Sequence, residues 1–252
     1  MAHLLRTPTR PNAASALRGV TAAILAGGLG TRLRPALADC PKVLAPVGGR
    51  PFLFRLLDVL AQAGIERTIL LTGHLADQVE EAAGELYGNM ALAYSRELEP
   101  LGTGGALRLA VPLLDTPTIL LVNGDSYCRV NLRSFADFHR RRRASLSMVL
   151  ARVPDASAFG RAELDFHGVI RGFAEKQTAG PGWVNAGLCF LQRDLVREIP
   201  AERAVSLERE MIPDWIERKR VVGYRSPAPL IDIGTPASYA RAQRAFGCAA
   251  RD

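Results

Sequence analysis

From Val20 onward, short apolar runs alternate with amphipathic stretches, and this rhythm limits the possible folds more than any other feature of the chain. Parallel strands need long crossover connections, usually helical, and a sheet covered on both faces makes its strands read as continuous apolar runs. The pattern therefore predicts an α/β domain. Thr21–Ala26 reads as the first strand, and Pro51–Ala63 as a helix with proline at its start and Gly64 at its end. Strands follow at Arg67–Thr72, Ala91–Tyr94 and Thr118–Val122, the last apolar after its first residue and so expected inside the sheet. Helices are expected at Ala76–Ala83, Gly104–Ala110 and Leu132–Arg143, and a further strand at Leu146–Arg152. The rhythm then changes. Strand-like runs at 161–166, 169–174 and 184–191 come without intervening helices, which predicts an antiparallel extension. A helix is expected at Ser206–Lys219, where Arg209 spoils the capping box begun by Ser206. The strand Val221–Tyr224, the loop Ile231–Pro236 and the helix Ala237–Phe246 complete the reading.

With 252 residues and 48% apolar content, the chain is expected to form one domain over residues 19–248, after a disordered leader at 1–18 that lacks a signal-peptide apolar region. The net charge of +7 is scattered apart from Arg140–Arg143, which reads as the solvated end of a helix. No aromatic residues interleave with the basic ones, so a nucleic-acid partner is not expected, and no apolar run is long enough for a membrane span. Cys40, Cys128, Cys189 and Cys248 have no paired spacing, which points to a reducing, cytoplasmic setting. Nor do His3, His74, His139 and His167 show metal-ligand spacing.

After the first strand, the segment Gly27-Gly28-Leu29-Gly30-Thr31-Arg32-Leu33-Arg34-Pro35 brings three glycines and two arginines together. Glycines let backbone N–H groups approach phosphate oxygens, and arginine neutralises their charge. No Lys-Ser/Thr follows at the spacing of a P-loop, and Leu33 stands where a dinucleotide fingerprint has its third glycine. Kinase-like and NAD-type loops are disfavoured, while an ordinary glycine-rich turn remains open. Among 32 basic residues only Lys42, Lys176 and Lys219 are lysine, and the first two lie in motif-like surroundings.

Taken together, Leu25-Ala26-Gly27-Gly28-x-Gly30-Thr31-Arg32-Leu33-x-Pro35, Pro41-Lys42, Glu99-Pro-Leu-Gly-Thr-Gly-Gly-Ala106, Asn123-Gly124-Asp125, Phe173-Ala174-Glu175-Lys176, Asn185-Ala186-Gly187 and Ile231-Asp232-Ile233-Gly234-Thr235-Pro236 resemble the signature of the sugar-1-phosphate nucleotidyltransferases, in order, over residues 20–246. The resemblance implies a three-layer, Rossmann-like α/β fold with a mixed, mainly parallel sheet and a small antiparallel extension. Ligands are then expected at the carboxyl ends of the strands. It further implies that Leu25, Ala26, Gly27, Gly28, Gly30 and Thr31 hold the nucleotide, and that Arg32 and Lys42 stabilise the transition state. Glu97 and the turn containing Gly102 and Thr103 would read the base. Gly160, Glu175, Lys176 and Asn185 would take the sugar phosphate, and Asp125 and Asp232 would bind Mg²⁺.

The details Val153-Pro-Asp155 and Ser206-Leu-Glu208 look most like D-glycero-D-manno-heptose 1-phosphate guanylyltransferases, so GTP and a heptose 1-phosphate are the first expectation. Mannose 1-phosphate guanylyltransferases and amino-sugar uridylyltransferases are the alternatives. Cytidylyl transfer to a polyol or choline phosphate is a further enzymatic one. A non-catalytic nucleotide-sensing subunit is a rival of another class, and the presence of Arg32, Lys42, Asp125 and Asp232 argues against it. The enzyme is expected as a monomer or homodimer.

Overall fold

The computed structural model describes residues 17, 19–33, 40–175, 179–201 and 203–247, so Lys176 and nearly all of the expected leader lie outside the described residues. Its strands are β1 (Val20–Leu25), β2 (Pro46–Val47), β3 (Arg50–Pro51), β4 (Arg67–Thr72), β5 (Leu86–Tyr87), β6 (Met90–Arg96), β7 (Thr118–Asn123), β8 (Ser126–Cys128), β9 (Leu146–Val153), β10 (Gly160–Leu164), β11 (Ile170–Glu175), β12 (Gly182–Gln192), β13 (Val221–Ser226) and β14 (Leu230–Asp232). Its α-helices are α1 (Phe52–Ala63), α2 (Ala76–Ala83), α3 (Gly102–Leu109), α4 (Leu132–Arg142), α5 (Arg193–Glu198), α6 (Ile212–Arg218) and α7 (Pro236–Gly247).

The main sheet runs β11-β10-β12-β7-β1-β4-β6-β5, with β9 beside β12 and β13 beside β9. Pairings β7–β1, β1–β4 and β4–β6 are parallel, which the intervening α1, α2 and α3 crossovers require. β7 is interior, as its apolar run predicts. β12 runs antiparallel to both β7 and β9, and β10–β11 is an antiparallel hairpin, so the extension starts where the helical rhythm stops.

Alternate residues along each strand feed opposite faces. Ala22, Ile24, Leu70 and Val122 pack with Phe52, Leu57, Val79, Phe135 and Ala242, under α1, α2, α4 and α7. Ala23, Ile69, Leu71 and Leu121 face Leu107, Val196, Ile212 and Trp215, under α3, α5 and α6. The three layers follow from this double burial.

Local chemistry sets the ends of the elements. Gly64 closes α1 in the left-handed region at φ +87°, where glycine avoids the Cβ penalty. Asn131 Oδ1 caps α4 by accepting from Ser134 N at 3.0 Å. The expected Ser206–Lys219 helix opens instead as a π-helical turn, Leu207–Met211, before α6. Ser206 still caps it, its Oγ accepting from Arg209 N at 3.2 Å, and Glu210 Oε1 accepts from Ser206 N at 2.8 Å. The capping box is thus closed one residue later than an α-turn would close it, which the wider π-turn permits. The expected 231–236 loop is also shorter, because its first two residues belong to β14.

Candidate active site

Carboxyl ends of β1, β4 and β7 open into a cavity of about 1020 Å³. Every site residue expected from sequence that is described lines it: Leu25, Ala26, Gly27, Gly28, Gly30, Thr31, Arg32, Lys42, Glu97, Gly102, Thr103, Asp125, Gly160, Glu175, Asn185 and Asp232.

The glycine loop leaves β1 through Ala26, whose N–H donates to Leu71 O at 2.9 Å, and reverses at Gly30, φ +60°. A Cβ on Gly27 would sit 3.1 Å from Glu97 Oε1, and one on Gly73 only 2.8 Å from the same oxygen. Two glycines therefore make the slot in which Glu97 lies. Glu97 Oε2 accepts from Leu101 N at 3.0 Å. Burial raises the Glu97 carboxyl above the usual range, and the Leu101 bond offsets this only in part.

Gly102 has φ +72°, and a Cβ there would meet Val205 O at 2.6 Å. The turn entering α3 is docked on the 205–207 segment: Val205 N donates to Leu101 O at 2.8 Å, Gly104 N to Val205 O at 2.8 Å, and Leu207 N to Thr103 Oγ1 at 2.9 Å. Thr103 Oγ1 in turn donates to Glu208 Oε2 at 2.6 Å, so this hydroxyl braces the wall of the cavity.

On the opposite side, Lys42 follows Pro41 in a short 3-10 turn, and its ammonium reaches Asp125 Oδ2 at 2.5 Å. Asp125 Oδ1 accepts from Ser126 Oγ at 3.1 Å. Burial pushes the Asp125 carboxyl up, but the Lys42 charge and hydrogen bond, the Ser126 hydroxyl and the Arg32 charge outweigh it and hold the group below the usual carboxylate range. β14 pairs antiparallel with β8 and sets Asp232 opposite Ser126, while Ile233 N donates to Asp125 O at 3.0 Å. Two carboxylates distant in sequence thereby face one space. Among the described residues no group of three or more His, Cys, Asp and Glu side chains is arranged to hold a metal ion. The donor set available here is a pair of aspartates, which suits a hard divalent cation completed by water and phosphate oxygens.

The third wall comes from the extension. β12 shifts register between Asn185 and Cys189, where Gly187 adopts φ +79° and its N–H donates to Asn185 Oδ1 at 2.9 Å. A Cβ on Gly160 would lie 2.3 Å from Phe173 Cζ and 2.8 Å from Glu175 Oε2, so glycine here admits the Phe173 ring and the Glu175 carboxylate.

The cavity also holds residues that sequence reasoning assigned no role: Asp155 and Ser157, Glu208 and Arg209, and Ser238 and Arg241. The first four lie in or beside Val153-Pro-Asp and Ser206-Leu-Glu, motifs used only as marks of resemblance. Asp155 ties its loop together, accepting from Ser157 N at 3.1 Å and Gly180 N at 3.2 Å. Arg241 had no local signal, because only the docking of α7 brings it to the cavity.

The nucleotidyl transferase profile matches residues 21–247. The chain is 37% identical to the mannose-1-phosphate guanylyltransferase of Mycobacterium tuberculosis over 88% of its own length, and spans 63% of that relative. It is 32% identical to the D-glycero-alpha-D-manno-heptose 1-phosphate guanylyltransferase of Aneurinibacillus thermoaerophilus, over 88% of this chain and 96% of that one. Among solved structures, HddC from Yersinia pseudotuberculosis superposes with a TM-score of 0.79 at 30% identity, covering 90% of this chain and 99% of that one, and it is also known in complex with GMP-PN. A Bacillus anthracis structure described as a putative glucose-1-phosphate thymidylyltransferase, 21% identical with a TM-score of 0.82 over 90% of this chain and 95% of that one, shares the fold. With its glycine loop, aspartate pair and three-walled cavity, the chain belongs to the nucleotidyl transferase family.

Proposed function

We propose that the chain transfers GMP from GTP to a manno-configured sugar 1-phosphate, first D-glycero-D-manno-heptose 1-phosphate, releasing pyrophosphate. The GDP-sugar formed is an activated donor of the kind used to build cell-surface polysaccharide. The observation carrying this reading is that one cavity gathers the glycine loop, the Lys42–Asp125–Asp232 centre and the Gly160–Glu175–Asn185 wall. Its size suits two substrates side by side.

In this reading the backbone of Gly27–Thr31 cradles the triphosphate and Glu97 accepts from guanine N1–H and N2–H₂. Arg32 and Lys42 stabilise the negative charge on the α-phosphoryl oxygens and the departing pyrophosphate as the sugar phosphate oxygen attacks the α-phosphorus in line. Asp125 and Asp232 hold Mg²⁺. When bound, that ion polarises the phosphate oxygens and offsets their charge. Lys176, with Glu175 and Asn185, positions the sugar phosphate. Mannose 1-phosphate is the second reading, favoured by the 37% identity to the mycobacterial relative.

The test is pyrophosphate release from a panel of NTPs against a panel of sugar 1-phosphates. The reading expects GTP with a manno-configured acceptor to give the highest kcat/KM. Turnover led by UTP or dTTP with every acceptor would remove the guanylyl assignment.

A further inference from the structure

Beside the substrate cavity lies a second, buried one of about 10 Å³, lined by Leu121, Leu146, Leu191, Ile212 and Trp215 among others. Among the described residues three line both, and all three are polar: Asn123, Asn185 and Glu208. They form a floor between the two spaces. Two backbone irregularities border it, since β12 breaks register between Asn185 and Cys189 and the π-helical turn carries Leu207 and Glu208. Such irregularities recur beside functional sites, where they re-aim a side chain. Trp215 is almost fully buried, and its indole Nε1 has no hydrogen-bond partner among the described residues. A buried N–H left in that state is costly, so it calls for an acceptor. Glu208 has one to offer. Both hydroxyls that donate to it, Thr103 Oγ1 at 2.6 Å and Ser206 Oγ at 3.3 Å, use Oε2, and no described residue donates to Oε1. The charge of Glu208 also reaches the inner cavity, where burial first and this carboxylate second push the Cys189 thiol up.

We propose that the inner cavity is a site for one ordered water, which accepts from Trp215 Nε1 and donates to Glu208 Oε1, and that Glu208 is thereby a positioning residue for both substrates. The volume matches the room that one water needs, and the lining offers it an N–H donor, a carboxylate and two asparagine amides. Anchored in this way, Glu208 acts on two walls. Through Thr103 it holds the turn whose Leu101 N donates to Glu97 Oε2 on the base side. Through the floor it adjoins Asn185, whose Oδ1 accepts from Gly187 N at 2.9 Å in the acceptor wall. Arg32, Lys42 and Asp125 line the substrate cavity without lining the inner one, so the reacting phosphates lie outside this network. The positioning role rests on the nucleotidyl-transfer reading above, whereas the water does not.

The experiment pairs a high-resolution crystal structure of the full chain with kinetics of Trp215→Phe, Glu208→Gln and the double variant, varying GTP and sugar 1-phosphate separately. Trp215→Phe deletes the N–H and keeps an aromatic ring, while Glu208→Gln keeps the shape and removes the charge. The structure should show a water within hydrogen-bond distance of both Trp215 Nε1 and Glu208 Oε1. Each single variant should raise KM for both substrates by about 3- to 10-fold, with kcat within about twofold, because the floor orders the walls and not the reacting phosphates. The double variant should be no worse than Glu208→Gln alone, as for two ends of one bridge. No water at Trp215 Nε1 overturns the site. Additive effects of the two substitutions, or a lowered melting temperature with both KM values unchanged, overturn the positioning role while wild-type turnover leaves the enzyme reading standing. Absence of wild-type turnover with any donor and acceptor overturns the enzyme reading and the positioning role together, and the water then stands or falls on the crystal structure.

Discussion

The Lys42 ammonium and the Asp125 carboxylate form a 2.5 Å ion pair inside the cavity, on segments 83 residues apart. The contact keeps Asp125 ionised and points one of its oxygens at a cation of the protein. Asp125→Ala or Asp232→Ala is expected to lower kcat by at least about 100-fold with the far-UV spectrum retained. Lys42→Ala is expected to reduce kcat more than it raises either KM. Near-normal turnover in EDTA would take the metal out of the mechanism.

Acid sensitivity of the fold should come from His139 before it comes from Asp125. His139 is buried, 2.8 Å from Ser147 Oγ through Nδ1, and burial with the neighbouring Arg140 charge lowers its pKa to about 4 from an ordinary 6.5. Between those values the unfolded chain binds a proton that the folded chain rejects. Stability therefore falls as pH drops from about 6.5 to 4, by up to about 3 kcal/mol. Asp125, with its folded pKa depressed, adds stability that is complete above the ordinary aspartate range and lost only below it. Urea midpoints across this range should decline less steeply in His139→Gln than in the wild type, and equal slopes would remove His139 as the cause.

Two glycines should separate folding from binding. A Cβ on Gly124 would lie 2.2 Å from Leu25 O, a backbone atom that cannot move aside, whereas one on Gly28 would meet nothing within 4 Å. Gly124→Ala is expected to lose about 3 kcal/mol or more, a large fall in Tm. Gly28→Ala should melt like the wild type but raise KM for the nucleotide about tenfold, because its methyl group projects into the cavity. Similar melting temperatures for the two variants would contradict this.

Base choice should follow Glu97. GTP is expected to exceed ATP by about 100-fold in kcat/KM, since adenine N1 offers this carboxylate a lone pair where guanine offers two donors. Glu97→Gln should erode that preference more than it lowers turnover with GTP. Because burial raises the Glu97 pKa while Asp125 is held low, acidification should weaken GTP binding before it weakens the catalytic step. A preference for GTP that survives in Glu97→Gln would free the residue from base reading.

Strand order along the N-terminal, parallel half of the sheet was legible because apolar runs and amphipathic helices alternate there; Arg67–Thr72 and Ala76–Ala83 match residue for residue. Very short strands were not. Ser126–Cys128 and Leu230–Asp232 have too few residues to show a period of two, and they exist because each pairs with the other. The π-turn at Leu207–Met211 was read as ordinary helix, since nothing in Ser206-Leu-Glu-Arg-Glu-Met marks the wider register until Glu210 is seen to close the cap. Cavity-lining residues were legible where glycine and charge coincide, as in Gly27–Arg32. Arg209 stayed hidden because the Ser206-Leu-Glu208 motif beside it served only as a mark of resemblance, and Arg241 because its neighbours in sequence supply no hint of the cavity.

The β8–β14 pairing also sets when Asp125 and Asp232 can come together. Joining Asp125 to Asp232 closes a loop of more than a hundred residues, a contact of high sequence separation that must wait for both partners. A ribosome-bound chain that has already folded β1, β4, β6 and β7 would own its glycine loop and the Lys42–Asp125 pair, yet still lack its second aspartate. Nascent chains arrested before residue 232 should therefore be folded in their first half and catalytically silent, so that competence arrives late and all at once as β14 emerges and docks.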